Sequence, residues 1–152
     1  MIRKESEDVL NMLLVKLFND ILKIEAAAIK QGEFSDLSVT ENHIIEAIGK
    51  DREMTMTEVA KDLEVTVGTL TTAINRLIKK EYVERRRIEE DRRVVLIKLT
   101  HKGEKAFDSH AQFHTDMIKS IIQELPDTEE TVLITALKRM TNFFEEKYNL
   151  LG

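Results

Sequence analysis

The stretch from Thr66 to Lys102, TVGTLTTAINRLIKKEYVERRRIEEDRRVVLIKLTHK, constrains this chain more than any other. Leu70, Ala73, Ile74, Leu77 and Ile78 recur at the three-and-four spacing of one helix face. The period then changes. YVERRR and VVLIKL are β-branched runs separated by IEEDR, which predicts an antiparallel hairpin. A helix that runs straight into a short charged hairpin is the order of a winged helix-turn-helix, with one helix for the major groove and a basic wing beside it. Charge agrees with that reading. The window holds ten Lys/Arg against five Asp/Glu, a net of +5, in a chain of formal net charge −5, so the remainder carries −10. Phosphate binding depends on this local balance rather than on the global one.

The rest of the sequence is helical and bounded by its composition. At 152 residues, 42% hydrophobic and 34% charged, it describes a globular, helix-rich chain of one domain or two small ones. No apolar run reaches 18 residues, so no membrane span is expected, and MIRKESEDVL lacks the apolar core of a signal peptide. The absence of cysteine excludes disulfides and fits a cytoplasmic setting. From Val9 to Ile24, Leu10, Leu13, Leu14, Leu17, Ile21 and Ile24 form a stripe widened by Val9, Met12, Val15, Phe18 and Leu22. That breadth predicts a helix with partners on two sides. Two further helices follow the hairpin, the first through Phe107, His110, His114, Met117, Ile121 and Leu125, the second through Leu133, Leu137, Met140, Phe144 and Tyr148.

Capping residues set the boundaries. Ser38 with Glu41, Thr55 with Glu58, and Asp127 with Glu130 each have capping-box spacing, the last after Pro126. Thr66 is placed to cap the helix from Val67 to Lys80, and Thr100 the long helix after the hairpin. The expected order is four helices, two strands, two helices: mainly α with a small β-hairpin wing. Residues 35–100 form the winged helix-turn-helix, and 1–34 with 101–152 a helical dimerisation region. The surplus apolar surface of the flanking helices suits a two-fold homodimer, which would set two recognition helices one DNA turn apart, about 34 Å, and select a palindrome.

Chemistry narrows to the helix and the wing. Thr69, Thr71, Thr72 and Asn75 offer small hydroxyl and amide groups to phosphates or base edges, a threonine methyl suits that of thymine, and Gly68 allows close approach. At the hairpin turn, Asp91-Arg92-Arg93 places an acid two residues before an arginine that fits a narrow A·T-rich minor groove. Arg85, Arg86 and Arg87 add cations, some aimed at phosphate. The candidate DNA-contacting set is Thr66, Gly68, Thr69, Thr71, Thr72, Asn75 and Arg76 on the helix, and Arg85, Arg87, Asp91, Arg92 and Arg93 on the wing. The competing readings are a plain polar helix face and a solvated charge run.

His110 and His114 share a helix face at a spacing that can hold a metal, and His43 and His101 are the other two histidines. HAQFH lacks a carboxylate at ligand spacing, so hydrogen-bonded packing histidines are expected and no metal site. No phosphate loop, nucleophile elbow or HExxH is present, so neither catalysis nor a cofactor is expected.

Over DLEVTVGTLTTAINRLIKKEYVERRRIEEDRRVVLIKLTHKGE the chain closely resembles the MarR family of bacterial transcription regulators. The shared signals are Leu70, Arg76-Leu77, Val83 to Arg85, Asp91-x-Arg93, and Leu99-Thr100 followed by Gly103. Within the family it is most similar to the repressors of fatty-acid synthesis genes. Phe18 to Glu25, Phe34-x-Asp36-Leu37-Ser38, Glu41-x-His43, Gly68 to Thr72, Asp91 to Val95 and His110-Ala111-x-Phe113-His114 carry that likeness. The resemblance implies A·T-rich palindromic operators and a long-chain acyl-acyl-carrier-protein as corepressor, its acyl chain entering an apolar pocket in the helical region. Leu13, Leu17, Phe18, Phe113, Met117 and Ile121 are the apolar candidates for that pocket. It also implies Arg93, braced by Asp91, in the minor groove. The alternative is a family member that answers a small phenolic or lipophilic ligand, or a metal ion. One position departs from the family pattern: a glycine commonly follows the recognition helix, and here Glu81 does.

Overall fold

The computed structural model describes residues 2–148. Along the chain run α1 (Ile2–Gln31), α2 (Val39–Ile48), β1 (Met54–Thr55), α3 (Met56–Asp62), α4 (Val67–Lys79), β2 (Val83–Arg87), β3 (Val95–Leu99), α5 (His101–Gln123) and α6 (Asp127–Tyr148). The expected order holds, with one addition. β1 pairs antiparallel with β3, so the hairpin is part of a three-stranded sheet of order β1-β3-β2. Two residues are too few for any periodic signal, yet they cover the free edge of β3.

Caps fix most of the helix starts. Both capping boxes in the first half form: the Ser38 hydroxyl accepts from Glu41 N–H at 3.0 Å and the Glu41 carboxylate accepts from Ser38 N–H at 3.1 Å. Thr55 and Glu58 repeat the exchange at 3.1 Å each way. Thr66 and Thr100 cap α4 and α5 through the N–H groups of Thr69 and Gly103. The Asp127–Glu130 box does not form. The Pro126 carbonyl already accepts the N–H groups of Glu129 and Glu130. Asp127 therefore sits inside the helix, where it adds to the acidic first turn that suits the positive end of the helix dipole.

The chain divides into two compact units, one ending at Phe113 and the other beginning at His114. The core of the first unit gathers Ile44, Ile45 and Ile48 of α2, Val59 of α3, Leu70, Ile74 and Leu77 of α4, Tyr82 just before β2, and Val83 and Ile97 of the sheet. In α1, by contrast, Leu10, Leu13, Leu17, Phe18 and Leu22 are all more than half exposed in the single chain. The second unit contains α6, none of whose residues is buried.

A polar knot locks the end of α4 to the chain before α2. Lys80 Nζ donates to both Glu41 carboxylate oxygens at 3.0 Å and to the Asp36 carbonyl. The Tyr82 hydroxyl donates to the Asp36 carboxylate. Burial first, then that hydrogen bond, raises the Tyr82 hydroxyl above its ordinary pKa. The half-buried Lys80 thus compensates the charge of the buried Glu41.

Two turns place glutamate in the left-handed region. Glu81 has φ +69°, its N–H donates to the Ile78 carbonyl, and Tyr82 N–H donates to that of Leu77. Those two bonds are the Schellman pair that closes a helix, and the buried contacts of Tyr82 and Leu77 seal it. Glu64, at φ +55°, closes α3 in the same way. The glutamate takes the conformation in which glycine carries no side-chain penalty. Glu81→Gly is therefore expected to raise unfolding free energy by about 1 kcal/mol, read by urea denaturation. A destabilised variant would mean that the Glu81 side chain contributes more than its backbone costs.

Candidate nucleic-acid interface

The interface is built on the exposed side of α4. Leu70, Ala73, Ile74 and Leu77 face the core, which turns Gly68, Thr69, Thr72, Asn75 and Arg76 outward and leaves Thr71 half-buried. Hydrogen bonding has already committed part of this chemistry. Thr71 Oγ1 donates to the Val67 carbonyl at 2.7 Å and Thr72 Oγ1 to that of Gly68 at 3.3 Å. Thr66 Oγ1 accepts from Thr69 N–H and donates to Thr69 Oγ1. With their protons turned inward, Thr71 and Thr72 present methyl groups and acceptor lone pairs to a ligand.

The wing is polarised by strand alternation. Register pairs Val83 with Leu99, Arg85 with Ile97 and Arg87 with Val95, so Arg85 and Arg87 share the sheet face that packs on α4. Arg85 Nη1 donates to the Asn75 carbonyl oxygen at 2.6 Å, which ties wing to helix. Arg87 Nη1 donates to the Arg92 carbonyl at 2.8 Å and so supports the turn. On the opposite face Arg86 makes a two-pronged contact with Glu53, at 2.9 and 2.8 Å, and Lys98 pairs with Glu84 at 3.2 Å. Arg86 is thus committed to an internal carboxylate. Its guanidinium holds the Glu53 carboxyl below the usual carboxylate range.

At the tip, the sequence expectation of a braced arginine is met. Arg93 Nε and Nη2 donate to the Asp91 carboxylate at 3.0 and 3.1 Å, and Arg93 N–H donates to Asp91 Oδ1 at 3.1 Å. The Arg93 side chain is 92% exposed, so a clamp within the protein aims a cation that solvent otherwise surrounds. The same bonds lower the Asp91 pKa and raise that of Arg93. The ionised form of Asp91 is the one these bonds favour, so the brace weakens when the carboxylate is protonated.

These parts enclose one cleft. Thr57, Thr71, Arg85, Arg86, Arg87 and Arg93 line it with the edge of Val67, and none of its lining residues is a carboxylate. Thr57, in the first turn of α3, was not singled out from sequence. Its only signal was its place inside the Thr55–Glu58 capping box. The apolar pocket candidates differ in exposure. Leu13, Leu17 and Phe18 are exposed on α1, whereas Phe113 lines a cavity of about 50 Å³ with Ile29, Phe34, Ala106 and His110. Met117 and Ile121 follow along α5, half-buried and exposed respectively. A drug-sized ligand fills roughly 300 Å³ or more, well beyond that cavity.

Histidines converge where the sequence offered no carboxylate. Glu25 of α1 is buried with its Oε1 at 3.1 Å from Nε2 of both His43 and His110. His101 is exposed at the start of α5.

Comparison with known proteins fits this geometry. The MarR family profile matches residues 37–95. The crystal structure of Streptococcus pneumoniae FabT in complex with DNA superposes with a TM-score of 0.87 at 38% identity, covering 92% of this chain and 98% of that one. A mutant MarR from E. coli aligns with a TM-score of 0.68 at 25% identity, over 87% of this chain and 96% of that one. The HTH-type transcriptional regulator BilQ of Clostridium symbiosum is 31% identical over 61% of this chain, a match spanning 65% of BilQ.

Proposed function

Because the chain belongs to the MarR family of transcription regulators, we propose that it represses fatty-acid synthesis genes as a DNA-binding homodimer. In this reading it acts in the cytoplasm on an A·T-rich palindrome and takes long-chain acyl-acyl-carrier-protein as corepressor. Thr66, Gly68, Thr69, Thr71, Thr72, Asn75 and Arg76 approach the major groove. Arg93, held by Asp91, enters the minor groove. Arg85, Arg87 and Arg92 supply cations near the phosphates. The observation that carries the reading is the carboxylate-braced, solvent-exposed arginine at the tip of a wing that is tied to the threonine-faced helix. Likeness to FabT, at 38% identity along nearly the whole chain, supports the fatty-acid assignment.

Dimerisation is supported by the helices outside residues 35–100. Val9, Leu10, Leu13, Leu17, Phe18 and Leu22 of α1, and Val132, Phe143 and Phe144 of α6, are exposed in the single chain. Burying several such side chains against a second copy gives roughly 1.5–3 kcal/mol each before association costs. The corepressor must bind the DNA-competent separation of the two recognition helices better than other separations. Its acyl chain would need more room than the cavity beside Phe113 provides, so binding and opening are coupled.

A gel shift on a fatty-acid-synthesis promoter tests both levels. Palindrome binding is expected without ligand and tighter binding with long-chain acyl-acyl-carrier-protein. An affinity unmoved by that ligand removes the corepressor, and no binding to any A·T-rich inverted repeat removes the DNA reading.

A further inference from the structure

We propose that Glu25, His43 and His110 form a binding site for a divalent cation of the zinc class. The three residues come from α1, α2 and α5, far apart in sequence, and all belong to the unit that ends at Phe113. Each offers one ligand atom, and the three atoms lie within 4.8 Å of one another. Two edges of the triangle, from Glu25 Oε1 to each imidazole Nε2, are 3.1 Å long. Ligands at about 2.0–2.1 Å around a tetrahedral zinc stand roughly 3.3 Å apart, so these edges are close to the length that coordination requires.

Burial makes the arrangement more than a surface cluster. The side chains of Glu25 and His110 are 4% and 6% exposed, and that of His43 is 45% exposed. An ion would enter past His43 and rest on a carboxylate shielded from water. With the ring proton of each imidazole on Nδ1, both Nε2 atoms can act as ligands toward the shared space. The buried carboxylate then neutralises part of the cation's charge in a site of low dielectric. Two imidazoles and one carboxylate suit zinc and neighbouring late transition ions, whereas magnesium and calcium prefer all-oxygen sets. Three protein donors leave a fourth position for water, the open form of a zinc site.

Such an ion would join α1 and α5 to α2, which packs in the core beneath α4. It therefore reports on helix spacing in the region that positions the recognition helix. The site rests on its own geometry and stands or falls apart from the fatty-acid reading.

The test uses the full chain, dialysed against EDTA and then titrated with zinc by calorimetry, and with cobalt by visible absorption. The expected result is one zinc per protomer at this site, a raised Tm, and the intense visible bands of tetrahedral cobalt. His43→Ala removes a half-exposed ligand and is expected to keep the native circular dichroism spectrum. It should weaken zinc by roughly a hundred-fold or more, at least what loss of a residue that merely orients a ligand costs, and Glu25→Gln should act likewise. Absence of zinc binding, weak octahedral-type cobalt bands, or unchanged affinity in folded His43→Ala would each overturn the proposal. The last result would place the ion on other histidines.

Discussion

Replacing Gly103 with alanine is expected to destabilise the protein by about 3 kcal/mol or more, the high end for an overpacked site. A methyl built at Gly103 would lie 2.1 Å from the Tyr82 carbonyl oxygen and 3.2 Å from Leu99 Cβ. Neither neighbour can retreat. The Tyr82 oxygen accepts from Thr100 N–H at 3.0 Å, and the Tyr82 side chain is held by Asp36 and stacked beneath Lys102. The first turn of α5 must move instead, and with it the Thr100 cap, whose hydroxyl accepts from Gly103 N–H. For a chain of this size, 3 kcal/mol lowers Tm by roughly 6–12 °C. Thermal unfolding followed by circular dichroism reads this directly. A Tm within a degree of the parent would show that α5 does not approach the Tyr82 carbonyl so closely.

Arg93→Ala is expected to reduce operator affinity roughly ten-fold to a hundred-fold while leaving dimerisation unchanged. One phosphate-scale contact should also disappear from the salt dependence of binding. Asp91→Asn separates aim from charge. It retains Arg93 but weakens the brace, so a smaller loss is expected, felt most on A·T-rich sites where groove width matters. Fluorescence anisotropy on a labelled palindrome at two salt concentrations, beside sedimentation velocity for oligomeric state, measures both. Equal affinity for parent and Arg93→Ala would take the wing tip out of the interface.

How far the sequence could be read depended on the range of each interaction. The boxes at Ser38 and Thr55, the caps at Thr66 and Thr100, and the Asp91–Arg93 brace all act across two or three residues, so spacing was enough to find them. The hairpin was legible because its strands alternate about a charged turn. Long-range features left no such trace. Glu25 meets His43 and His110 only once three helices are packed, so local spacing around the histidines carries no sign of the carboxylate. Arg85 and Arg86 look alike in sequence. Only the register shows that one reaches Asn75 and the other Glu53. The Asp127–Glu130 spacing misled because Pro126 already provides the helix's first carbonyl. Left-handed Glu64 is also silent in sequence, since nothing local marks a non-glycine residue for that conformation.

The pairing of Arg86 with Glu53 and of Lys98 with Glu84 makes the sheet two-sided. On one face the cations are paired with carboxylates, while the other holds Arg85 and Arg87, with Arg93 of the tip beside the same cleft. For a molecule of net charge −5, attraction to a polyanion depends on this locally basic face rather than on the whole surface. The duplex would act as an orienting field that rotates the regulator before contact, so that few collisions are wasted on the wrong side.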